Sequence, residues 1–179
     1  MKVYERKDLA TRAVFFAVAT QVWPLLVVVT LLLVAGVAWS ISSGEKVPAE
    51  MSWWFFKLAA IGLVGSFALH ESAHVMVLRR IETVTHLAVD RTTWRLSIFP
   101  FGALSARQVV GVAVAGPLCC VLVGSVLWLS ALDRTLAWWY LVHGVFLLPL
   151  FGDGRSLLSG LRGRGTRLAV VDQPGGSGL

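Results

Sequence analysis

Residues 70–74 read His-Glu-Ser-Ala-His, inside a run from 53 to 78 that is otherwise largely apolar. Four-residue spacing stacks two side chains on one helix face, so His70 and His74 present their imidazoles together while Glu71 points to the adjacent edge. A helix that does this can offer zinc two neutral nitrogens and place a carboxylate beside them. A catalytic zinc has three protein ligands and an open position for a water whose pKa the metal lowers, and Glu71 would take that water's proton. Each ionisable side chain at bilayer depth costs about 2.5–3.5 kcal/mol on insertion scales. Three such residues within five therefore call for a partner or a metal. The bland alternative is a chance match to the motif on a helix.

The elements that must position these residues follow from composition. Of 179 residues, 56% are hydrophobic and 15% charged, with a mean hydropathy of +0.74. That balance defines a membrane protein with room for several spanning helices and no sizeable soluble domain. The net charge of +6 does not point to nucleic acid, because the basic residues cluster beside hydrophobic runs. Cys119 and Cys120 are adjacent in an apolar run, a spacing that suits packing better than a disulfide or a metal knuckle.

Four apolar runs, roughly 14–41, 53–78, 109–132 and 137–151, predict an all-α polytopic membrane protein with about four transmembrane helices. The first follows a basic start, but its apolar core is too long for a signal peptide and it is read as a helix. Trp39, Trp53, Trp54, Trp138 and Trp139 mark one interface. Lys2, Arg6, Lys7, Arg12, Arg79, Arg80, Arg91, Arg95, Arg107, Arg155, Arg162, Arg164 and Arg167 fall on the other side, against Lys46 and Arg134 in the opposite loops. The positive-inside rule makes both termini cytoplasmic and sets HESAH toward the cytoplasmic end of the second helix. Residues 81–108 are too polar to span, and THLAVD and WRLSIFPF predict a small membrane-associated β-hairpin. The Gly- and Arg-rich tail after Leu161 is expected to be loosely ordered. Three parts result: 1–52 with the first helix, a core at 53–161, and a tail at 162–179.

The third ligand must come from elsewhere. After His74 the acidic residues are Glu82, Asp90, Asp133, Asp153 and Asp172. Topology sets Asp133 on the external side, Glu82 and Asp90 near the hairpin, and Asp172 in the tail. Asp153, in LFGDGRSLL, falls level with HESAH at the cytoplasmic end of the fourth helix and is the expected third ligand. Its plain alternative is a turn residue at a helix end. His143 lies in mid-span, where it either hydrogen-bonds a substrate backbone or is a satisfied core histidine, the commoner case. His86 reads as a solvated loop residue.

These residues resemble the site-2 proteases, zinc metalloproteases that cut within the membrane. HESAH at 70–74, FPFGA at 99–103, AGP at 115–117, and Pro149 followed by Asp153-Gly154 match the family's motifs in order over roughly residues 55–160. The resemblance implies His70, His74 and Asp153 as zinc ligands and Glu71 as catalytic acid/base. It also implies a substrate-binding strand containing Phe99 and Gly102, and His143 is a further substrate-contact candidate. The chain departs from the pattern at Phe146, which stands where the family has asparagine, and in the four-residue step from proline to aspartate. By this resemblance the chain is expected to be a compact intramembrane protease in a bacterial inner membrane. Its partners would be a membrane-protein or peptide substrate, the lipid bilayer, and a regulatory partner or second copy. The competing readings are an inactive homologue acting as a binding partner, a metal carrier, and a protease maturing juxtamembrane or small peptides.

Overall fold

The computed structural model describes residues 2–6, 11–91 and 96–168. Three of its helices are long and apolar enough to cross a membrane: Trp23–Ser43, the continuous Val47–Leu78, and Ala106–Leu129. A pair, Arg134–Leu147 with Gly152–Leu161, passes the same test together and is bent by 45° between its members. Trp94 and the tail beyond residue 168 lie outside the described residues.

The first apolar run is two helices, α1 (Thr11–Gln21) and α2 (Trp23–Ser43), where the sequence suggested one. Pro24 explains the break, since it lacks an N–H and its ring crowds the carbonyl four residues back. α2 stops at Gly44, whose φ of 78° is the left-handed conformation that glycine adopts freely. After a short turn α3 (Val47–Phe56) begins, earlier than the expected start at residue 53, and runs through a π-helical segment (Lys57–Val64) into α4 (Gly65–Leu78). The wider π turns are braced from outside. The Tyr140 hydroxyl donates to the Ile61 carbonyl at 3.0 Å, and Gly62 lets the Trp139 ring approach so closely that a Cβ would sit 2.8 Å from it.

The expected hairpin exists as β2 (Val84–Arg91) and β3 (Leu96–Leu104), but it is the centre of a four-stranded antiparallel sheet ordered β1-β2-β3-β4. β1 (Lys2–Glu5) comes from the N-terminal segment and pairs with β2 from Lys2↔Val89 to Glu5↔His86. β4 (Thr166–Leu168) comes from the segment expected to be loose and pairs with β3 at Gly102–Leu104. Both strands gain order from backbone hydrogen bonds to the hairpin, a tertiary effect that overrides their weak local pattern. Val14 of α1, Val75 and Leu78 of α4, Leu87 and Leu104 of the sheet, and Val109 of the helix that follows β3 form one buried cluster that fixes the sheet against the helix ends.

α5 (Ala106–Leu129) starts with a capping box in which Ser105 Oγ accepts from the Gln108 N–H and Gln108 Oε1 accepts from the Ser105 N–H. α6 (Arg134–Leu141) is capped by Asp133, which accepts from the Leu136 N–H at 2.8 Å. The chain then tightens into a 3-10 turn (Val142–Leu147), and Leu148 turns extended ahead of Pro149, as a residue before proline prefers. α7 (Gly152–Leu161) begins afresh beyond that break. Asp153 therefore lies in the first turn of a new helix, not at the end of the fourth as the sequence suggested.

Candidate metal centre

α4 delivers His70 and His74, and α7 delivers Asp153, which is 83 positions from His70 in sequence. Nε2 of His70 lies 3.0 Å from Asp153 Oδ2, Nε2 of His74 lies 3.5 Å from the same oxygen, and the two Nε2 atoms are 3.1 Å apart. Ligands on a tetrahedral ion with bonds near 2.0–2.1 Å sit about 3.3 Å from one another. The three atoms already have the mutual spacing of one face of such a tetrahedron, and the residues fit a small divalent metal.

The environment sharpens that fit. Nδ1 of His74 lies 2.7 Å from the carbonyl of Val112, which can only accept, so Nδ1 carries a proton and, in the neutral ring that a metal requires, Nε2 is the lone pair. That lone pair faces a carboxylate oxygen and a second imidazole nitrogen, a cluster of electron-rich atoms that asks for a cation at its centre. A metal-bound histidine commonly donates its other N–H to a carbonyl in this way. Gly116 of α5 supplies the space, because a Cβ there would stand 2.5 Å from His74 Nε2 and 2.9 Å from His70 Nε2. Gly154, next to Asp153, is equally constrained, since a Cβ would collide with the Leu148 carbonyl across the break.

The triad opens into a cavity of about 550 Å³ whose lining includes Glu71, Phe99, Phe146 and Arg155. Glu71 thus shares the cavity with the candidate ligands, as its edge position on the helix predicts. Phe99 lies on the cavity wall and is 41% exposed. Gly102 does not line it. Its φ of 133° and its contact with the Thr83 backbone, where a Cβ would collide, make it the residue that lets β3 pass the turn before β2. His143 does not line the cavity either; it is 1% exposed and packs beside the His70 ring at a centroid distance of 5.3 Å.

Sequence reasoning missed three contributors. From the sequence Gly116 is only a small residue for helix packing, although its place in AGP opposite HESAH is a signal for close approach. The Val112 carbonyl has no sequence signature. Arg155, two residues after Asp153, counts there only as a topology charge. No family model, curated protein or solved structure matches the chain.

Proposed function

We propose that the chain is an intramembrane zinc metalloprotease of the kind its motifs resemble, hydrolysing peptide bonds of membrane-spanning substrates near the cytoplasmic face of a bacterial inner membrane. The observation that carries this reading is the convergence of His70, His74 and Asp153 from two distant helices onto one point, beside Glu71 and at the wall of an apolar cavity.

The sheet supports four crossings. Its strands come from residues 2–5, 84–91, 96–104 and 166–168, and an open sheet with polar edges cannot be split between the two faces of a bilayer. The chain must return to one side after residues 11–78 and again after 106–161. α1–α2 followed by α3–α4 makes the first return, and α5 followed by the bent pair makes the second. Arg79, Arg80, Arg107, Arg155 and Arg162 all lie on that side, which the positive-inside rule makes cytoplasmic.

When bound, zinc supplies Lewis-acid activation of water and of the scissile carbonyl. His70, His74 and Asp153 would hold it, the carboxylate offsetting part of its charge. Glu71, on the wall of the same cavity, would accept the water's proton and return it to the leaving amine. Ile98, Phe99 and Pro100 of β3 lie along the cavity, and β4 pairs only with Gly102–Leu104. The remaining edge of β3, opposite β2, has no strand partner among the described residues. An unwound substrate segment added there satisfies its amides and runs past the triad. Phe146, in place of an amide side chain, favours an apolar substrate residue at that point of the wall.

The test uses the full chain in detergent, with zinc content and cleavage of a fluorogenic transmembrane peptide as readouts. Wild type should hold close to one zinc per chain. Glu71→Gln should keep the zinc and slow cleavage by about 10²–10⁴-fold, whereas Asp153→Ala should lose both. Folded wild type without zinc, or zinc content indifferent to Asp153→Ala, overturns the reading.

A further inference from the structure

Around the His70 ring lies a second group of buried polar atoms that the proposed chemistry does not use. His143, from the 3-10 turn, and Cys120, from α5, are 1% and 0% exposed, and a nitrogen of His70, a nitrogen of His143 and the Cys120 sulfur all lie within 4.8 Å of one another. Nδ1 of His70 and Nε2 of His143 are both buried and without a hydrogen-bond partner among the described residues. Such orphans are uncommon in folded proteins, and two on neighbouring rings share an explanation.

Proton bookkeeping supplies it. His143 Nδ1 lies 2.9 Å from the Trp139 carbonyl, which only accepts, so the ring proton is there and Nε2 is a lone pair. Once Nε2 of His70 is committed to a metal, the His70 proton must sit on Nδ1. One ring then holds a buried donor without an acceptor and its neighbour a buried acceptor without a donor. We infer that His143 is a positioning residue for the metal centre: once His70 Nε2 is on a metal, a small turn of the two rings, whose centroids stand 5.3 Å apart, brings His143 Nε2 onto the His70 Nδ1–H and fixes that ligand, a bond the two atoms do not make as they stand. This rests on the metalloprotease reading above. It gives His70 the outer partner that Val112 already gives His74.

A cation held by His70, Cys120 and His143 is the rival use of the same atoms. The Cys120 thiol is the donor to the Ser66 carbonyl at 3.3 Å, so a cation there would have to displace both that proton and the one on His70 inside a fully buried pocket. The hydrogen bond requires neither.

The experiment measures zinc affinity of the detergent-solubilised full chain by competition with a chromophoric chelator, together with the visible spectrum of the cobalt-substituted protein. His143→Leu, which removes the acceptor, should weaken zinc binding about 10–100-fold and alter the cobalt bands. His143→Gln, whose amide oxygen can accept, should recover most of the loss. If His143→Leu does not fold, the comparison of His143→Gln with His143→Met decides, and the inference requires tighter binding by Gln. Equal affinity in wild type and the variants without an acceptor overturns the inference and leaves the metalloprotease reading standing. A second equivalent of metal in wild type that disappears in Cys120→Ala overturns it in favour of the rival cation site. Folded wild type that binds no zinc overturns both readings at once.

Discussion

α2 and α5 are both apolar helices long enough to cross a bilayer, at 21 and 24 residues, yet 6% of an apolar 18-residue stretch of α2 is buried in protein against 33% of such a stretch of α5. Lipid is as apolar as a leucine side chain, so hydropathy alone does not draw either helix inward. What separates them is where small and polar groups fall. α5 brings Gly116 against two imidazoles, the Val112 carbonyl against His74, and Cys120 against the Ser66 carbonyl of α4. α2 touches its neighbour α3 closely at Gly36, where a Cβ would collide with Ser52 Oγ, and leaves Val28, Leu31, Val34 and Ile41 exposed. One helix is part of the site's wall and the other is an outer stave.

Matched glycine substitutions would break that comparison if it is wrong. Gly116→Ala pushes a methyl group into both imidazoles and should weaken metal binding about 10–100-fold, as disturbance of a ligand's support does, measured by chelator competition. Gly36→Ala should destabilise the α2–α3 contact by about 1–3 kcal/mol, the usual range for overpacking, and leave metal affinity at the wild-type value. Thermal unfolding in detergent and the same chelator assay distinguish the two. Equal loss of metal affinity in both variants would make α2 part of the site.

A smaller effect concerns the end of the bundle away from the sheet, where the Lys57 ammonium donates to Asp133. That hydrogen bond, followed by the one from the Leu136 N–H, holds the Asp133 carboxyl below the usual carboxylate range. A carboxyl whose pKa is lowered by folding contributes stability above its unfolded value, about 3.9, and the contribution disappears as pH falls through the folded value. Lys57→Met should therefore flatten the loss of thermal stability on acidification. The pair is partly solvated, so the difference at neutral pH should stay below about 1 kcal/mol.

Much of the candidate site is legible because its signals are local or strongly constrained. HESAH sets its own geometry on any helix, and Asp153 follows from eliminating the few other carboxylates that topology allows. The placement of Asp153 on a separate helix was not reached, although Pro149 and the two glycines around Asp153 carry the break. β1 and β4 were missed because Lys-Val-Tyr-Glu and Thr-Arg-Leu are too short and too charged for an alternating pattern, and they become strands only beside the hairpin. The role of His143 could not be read either. A histidine in an apolar run looks the same from the sequence whether it faces a cavity or the back of another ring.

The sheet's outer strands come from opposite ends of the described chain, Lys2 pairing with Val89 and Thr166 with Leu104. During synthesis β1 waits for the hairpin, and the hairpin waits for β4. The carboxylate at 153 likewise comes some eighty positions after its two histidines. A ribosome still short of residue 153 carries an incomplete centre, and one short of residue 168 carries an unfinished sheet. On the metalloprotease reading, the order of translation withholds the third candidate ligand until both histidines and the hairpin have been made.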